Sequence, residues 1–124
     1  MIHEIKGTHS CVGQWQLTEG VDQYVEVRDT IPYLLNRDPI MISHDQIAWK
    51  CMDNPSAKLD NRYIECDISY PGIVVEDAPN PFSKKYRMID GSHRMAKMLL
   101  ETLIRESYFY VLTEKEFHPL LKNY

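Results

Sequence analysis

No stretch of this chain approaches the roughly 20 apolar residues that a membrane-spanning helix needs. The opening Met1-Ile2-His3-Glu4-Ile5-Lys6 lacks the basic-then-apolar build of a secretory leader, so the sequence predicts a cytoplasmic protein with no membrane partner. Cysteine is scarce. Cys11, Cys51 and Cys66 are odd in number, far apart and never in a C-x-x-C pair, so neither a disulfide framework nor a zinc knuckle is expected and all three read as ordinary thiols. His3, His9, His44 and His118 show no H-x-x-x-H or H-x-E spacing, and no structural metal is expected. Positive charge is also short: 14 Lys and Arg against 18 Asp and Glu leave a net charge of −4, which argues against a protein that coats nucleic acid by electrostatics alone. Nucleic acid stays open as a partner, without support from the net charge, and composition sets no oligomeric state. There is no repeat, low-complexity segment or long linker, so residues 1–124 read as a single domain, large enough to bury a core without staples.

What is present points to a small α+β fold: a mixed β-sheet with packed helices. Val21 to Val27 alternates as a strand, with Val21, Gln23, Val25 and Val27 on one side. Pro32 and Pro39 bracket Tyr33-Leu34-Leu35, a single helical turn or a buried connector. Ser43-His44-Asp45-Gln46 has the form of a capping box and predicts a helix from about His44 to Met52. Arg62 to Ser69 alternates as a strand, Pro71-Gly72 is a turn, and Ile73-Val74-Val75 suits a buried strand. Asp77 to Lys85 is a loop, Tyr86 to Ile89 a strand, and Ser92 to about Glu106 a helix. That helix would bury Met95, Ala96, Leu99, Leu100 and Leu103 and turn Lys97, Glu101 and Arg105 to solvent. Tyr108 to Leu112 is a last strand, followed by a second capping box, Thr113 to Glu116, and a helix carrying Phe117, Leu120 and Leu121. Trp15 and Trp49 read as core anchors.

The most informative stretch is Tyr86-Arg87-Met88-Ile89-Asp90-Gly91-Ser92-His93-Arg94, where a strand meets a glycine and opens into a helix. A glycine there lets the backbone approach a ligand, and the first-turn N–H groups point at an anion. Lys84, Lys85, Arg87, Arg94 and Lys97 surround a single acid, Asp90, so positive charge is expected to gather at this box. Plainer uses are open too: a turn with Asp90 capping the helix, a salt bridge for Arg94, a packed ring for His93.

Preceded by Ile73-Val74-Val75 and followed by a helix, Asp90 to Arg94 resembles the G-x-H-R box of the ParB/sulfiredoxin superfamily over about residues 40–112. Residues 1–40 lie outside the likeness and stay unassigned. The resemblance implies a ParB/sulfiredoxin-like fold that holds nucleotide phosphates, ATP or CTP with magnesium, through Gly91, Ser92, His93 and Arg94. Asp90 matches the acid before the glycine in kinase-like and nuclease-labelled members. Ser92 departs from sulfiredoxin, whose reactive cysteine it replaces; a hydroxyl cannot form the thiosulfinate linkage, so sulfinic-acid reduction is not expected. The helix-turn-helix and dimerisation tail of partitioning ParB are also missing from the sequence.

Phosphoryl transfer asks for positioning and charge neutralisation. Arg94 and backbone N–H groups on the phosphates, His93 as donor or acid, and Asp90 as base or magnesium ligand meet that need in kind. Asp67, Glu76 and Lys97 are candidate accessories. Two classes of function follow: NTP-dependent phosphoryl transfer or hydrolysis with Asp90 and His93 catalytic, or a non-catalytic nucleotide-sensing or protein/DNA-interaction module. Nuclease action is disfavoured by the acidic net charge.

Overall fold

Three consecutive β-branched residues, Ile73-Val74-Val75, need apolar neighbours on both faces, and they find them at the centre of a sheet. The computed structural model describes residues 9–11, 23–49, 51–78, 80 and 82–123, so the readings on Trp15, Val21 and His3 lie outside it. A three-stranded sheet is formed by β1 (His9–Cys11), β2 (Gln23–Glu26) and β8 (Lys122–Asn123), in the order β1-β2-β8. The main sheet has five strands: β3 (Ile40–Ser43), β4 (Ile47–Ala48), β5 (Gly72–Glu76), β6 (Tyr86–Asp90) and β7 (Glu106–Thr113), in the order β3-β7-β5-β6-β4. β5 runs parallel to β7 and antiparallel to β6, while β4 joins β6 in parallel and β3 closes the other edge antiparallel to β7. The class is α+β, as the sequence predicts.

Among the described residues four α-helices pack around the strands: α1 (Val27–Leu34), α2 (Asn61–Glu65), α3 (Ser92–Glu101) and α4 (Glu114–Phe117). Val74 of β5 joins Met88, Tyr86, Phe109 and the α3 residues Met95 and Ala96 in one core. Ile73 and Val75 join Val25, Val27, Leu34, Tyr110, Leu112 and Phe117 in the other. Each core fills one face of the sheet, as the strand period of two requires. Trp49, 4% exposed, is a core anchor as expected. The N-terminal stretch without an assigned role therefore supplies Val25, Val27 and Leu34 to the second core.

Several local expectations are overturned. Val27 does not end a strand but starts α1, in which Val27, Thr30 and Leu34 are buried at helical spacing and Pro32 sits on the exposed side. Ser43 makes no side-chain cap, and the predicted 44–52 helix is a short 3-10 turn leading into β4. Ile47, Ala48 and Trp49 are all buried, which a one-sided helix cannot satisfy, and the first two pair with Tyr86 and Arg87. The predicted 62–69 strand is replaced by α2. Asp60 decides it, its carboxylate accepting the Tyr63 N–H at 3.1 Å as an N-cap. Gly72 opens β5 and is not confined to a turn.

α3 stops at Glu101 instead of continuing to Glu106. Its buried residues are Met95, Ala96 and Met98, while Leu103 is 94% exposed. The Arg105 guanidinium explains the stop: it donates to the carbonyls of Met98, Leu99, Thr102 and Ile104 and so satisfies the end of the helix. The second capping box forms as predicted, with Thr113 and Glu116 bonded reciprocally at the start of α4.

Candidate functional site

The box lies at the junction of β6 and α3, and two backbone features shape it. Ile73 opposes Asp90 while Val74 opposes Met88, so Ile89 is an extra residue, a bulge set immediately before the box. Bulges re-aim the side chains that follow them. Gly91 then takes φ +117°, a conformation that L side chains rarely adopt, and serves as the N-cap of the ten-residue α3. Having no side chain, Gly91 offers no side-chain acceptor to the first turn. The first intrahelical bond is Met95 N–H to the Gly91 carbonyl at 2.9 Å, which leaves the earlier N–H groups of α3 outside the helical pattern.

A second glycine makes the turn possible. A Cβ on Gly72 would lie 2.7 Å from the Asp90 carbonyl oxygen, and a Cβ on Gly91 would lie 3.3 Å from the Gly72 Cα. The two backbones therefore touch where β5 meets the end of β6. The same position on Gly91 is 3.3 Å from an Arg94 terminal nitrogen, so the guanidinium folds back over the turn.

Each charged side chain of the box has a protein partner. Arg94 Nη2 donates to Asp90 Oδ2 at 2.9 Å, and both side chains are only 11% exposed. Arg94 Nε is buried with no hydrogen-bond partner among the described residues. His93 Nε2 lies 3.1 Å from a carboxylate oxygen of Asp60, the residue that caps α2. The bonds from the Tyr63 N–H and from His93 hold the Asp60 carboxyl below its ordinary range. Lys97 reaches the other end of α2, with Nζ 3.2 Å from the Ile64 carbonyl and 3.4 Å from those of Tyr63 and Cys66. Glu101 accepts the Tyr63 hydroxyl, which pushes the Tyr63 pKa up to about 12. Glu101 and Arg105 of the expected solvent stripe are exposed and Lys97 is half-buried, and the same three side chains also tie α3 to α2 and close its own C-terminus.

Of the residues singled out in the sequence, Asp90, Gly91, Ser92, His93, Arg94 and Lys97 lie together along β6 and α3. Glu76 does not join them. It opposes Tyr86, four residues and about 13 Å from Asp90 along β6. Asp67 accepts from the backbone N–H and hydroxyl of Ser69 at 2.9 and 2.6 Å. The expected gathering of positive charge is corrected as well. Arg87 is 1% exposed and stacks 5.4 Å over the Phe117 ring, in the core on the other face, where desolvation lowers its pKa to about 10. Lys84 and Lys85 lie just before Tyr86, at the far end of β6 from the box.

Asp60 and Gly72 are the residues that sequence reasoning missed. Asp60 followed three positions later by an apolar residue is an N-cap signal, masked by the alternation read over 62–69. Within the box the Asp90 carboxylate is already shared with the Arg94 guanidinium. No family model, curated protein or solved structure matches the chain.

Proposed function

We propose that the chain is a nucleotide-binding module of the ParB/sulfiredoxin kind, holding phosphate at the Gly91–Arg94 turn. The observation that supports this most directly is Arg94. Its Nε is buried without an acceptor among the described residues, beside a left-handed glycine at the start of a ten-residue helix. A phosphate oxygen at that point would meet the Arg94 side chain, the Ser92 hydroxyl and the first-turn N–H groups, and the positive end of the helix dipole would favour its charge. Asp90 is committed to Arg94 and His93 to Asp60, so neither stands free as a base. That arrangement favours binding over turnover.

The second reading is NTP-dependent phosphoryl transfer or hydrolysis, in which ligand binding frees Asp90 to act on water or on an acceptor hydroxyl. Titration calorimetry with ATP and CTP, with and without magnesium, together with an assay for released phosphate, separates the two. Binding without turnover, abolished in Arg94→Ala, supports the module. Turnover lost in Asp90→Ala supports the enzyme. Absence of binding by either nucleotide overturns both.

A further inference from the structure

Away from the box, a nucleophile and a base meet on one face of the β3–β7 pair. His44 Nε2 lies 2.8 Å from Ser107 Oγ, although the two are 63 residues apart in the chain. Strand register produces the meeting. Ile42 opposes Ser107, Ile40 opposes Phe109, and the His44 N–H bonds to the Arg105 carbonyl at 2.9 Å, so these residues form two facing rows. The His44 ring stands edge-on to Phe109, at 85° with centroids 6.2 Å apart, which fixes its orientation.

The electrostatics suit a base. Burial first, then the charge of Arg105, push the His44 pKa down against a smaller opposing pull from Asp45. The imidazole is therefore neutral at neutral pH and free to accept a proton. Arg105 is held by four carbonyls of the α3 terminus and its approach, and it brings a fixed positive charge to the same face. Ile40, 47% exposed, stands in the same row as His44 and adds apolar surface on that face. Ser107 and His44 are both half-buried, so neither is sealed in the core.

We propose that Ser107 and His44 form an acyl-transfer site for small apolar carboxylic esters. Ser107 Oγ attacks the ester carbonyl carbon while its proton passes to His44 Nε2. The tetrahedral adduct, its oxyanion facing the Arg105 charge, collapses with loss of the alcohol, which leaves with the proton from His44. Water then attacks the acyl-serine by the same proton route, releasing the carboxylic acid and restoring both side chains.

The test uses a fluorophosphonate probe, with peptide mapping of the modified residue, and the hydrolysis of p-nitrophenyl butyrate. Labelling is expected at Ser107, absent in Ser107→Ala and slowed about 100-fold in His44→Ala. His44→Gln keeps a hydrogen-bonding group beside Ser107 but no base, and it guards against a folding defect in the alanine variant; it too should lose about 100-fold. His118→Ala removes an exposed imidazole elsewhere and should leave the rate unchanged. No label on Ser107 in the wild type, or wild-type hydrolysis in His44→Gln, overturns the proposal and leaves the pair a packing hydrogen bond.

Discussion

The Asp60 carboxylate joins two helices: it accepts the Tyr63 N–H as the cap of α2 and lies 3.1 Å from His93 on α3. A phosphate arriving at the α3 turn would have to compete with that carboxylate for His93. Asp60→Asn keeps an oxygen for the cap and removes the charge, so its unfolding midpoint in urea should fall less than that of Asp60→Ala, while ATP or CTP binds about fivefold more tightly, the effect of deleting one unit charge roughly 4 Å away in water. Asp60→Ala loses both contacts and should lower the urea midpoint. Because the Asp60 pKa is depressed in the folded state, the stability it contributes is present above its ordinary carboxyl pKa and fades as pH falls below it. Calorimetry on Asp60→Asn that shows unchanged or weaker binding removes Asp60 as a competitor.

Gly72 and Gly91 should fail together. Gly72→Ala drives a Cβ to 2.7 Å from the Asp90 carbonyl, a backbone atom that cannot swing aside, and should cost about 1–3 kcal/mol. Gly91→Ala forces a side chain into φ +117° and should cost about 1–3 kcal/mol. Since each glycine shapes the space of the other, the double variant should be non-additive by more than about 0.5 kcal/mol. Chemical denaturation of the four proteins in the cycle checks it, and strict additivity would mean that the contact between the two backbones relaxes freely.

Legibility in the sequence followed how local the deciding force was. β5, β6, β7 and the Thr113 capping box were readable because β-branched runs and a reciprocal cap are decided by adjacent residues. β4 was not: Ile47-Ala48 has helical spacing with Cys51 and Met52, and only its pairing with Tyr86 and Arg87, some 40 residues away, makes it a strand. At the box, strand, glycine and helix were foreseen, whereas the partners of its charges were not. Asp60 meets His93 across 33 positions, and Arg87 turns away from the box because alternation along β6 carries it into the opposite core. No local signal reports either fact.

The Arg37–Glu116 pair should govern acid stability at the C-terminal end. Arg37 donates to both Glu116 oxygens and, at 2.9 Å, to the Val111 carbonyl, tying the end of the N-terminal stretch to β7 and α4. The bond from Arg37 comes first among the causes that lower the Glu116 pKa to about 2. A depressed carboxylate stabilises above its unfolded pKa, so the contribution should be complete above about pH 4.5 and lost as pH falls towards 2. Solvent screening of the partly exposed pair reduces it to on the order of 1–2 kcal/mol. Urea unfolding between pH 7 and pH 2.5 should show the wild type losing this increment over that window, while Glu116→Gln starts lower and has a flatter profile. Equal slopes for the two proteins would show that Glu116 contributes nothing to acid unfolding.

Asp90 and Arg94 should separate by sign, because the helix dipole treats them oppositely. A carboxylate just before the first turn of α3 is stabilised by the positive helix end, whereas a guanidinium within that turn is not. Asp90→Ala leaves Arg94 cationic, 11% exposed and without its counter-charge, and should destabilise by about 1–3 kcal/mol. Arg94→Ala leaves Asp90 where the dipole favours it and should cost less. Nucleotide affinity should run the other way: Arg94→Ala loses about 10- to 100-fold, the worth of one charge-assisted contact, while Asp90→Ala retains binding because a repelling charge has gone. Denaturation and calorimetry on the same two variants read both quantities. If Arg94→Ala is the less stable protein and the tighter binder, the guanidinium is a structural strut alone, and the phosphate site must be sought elsewhere.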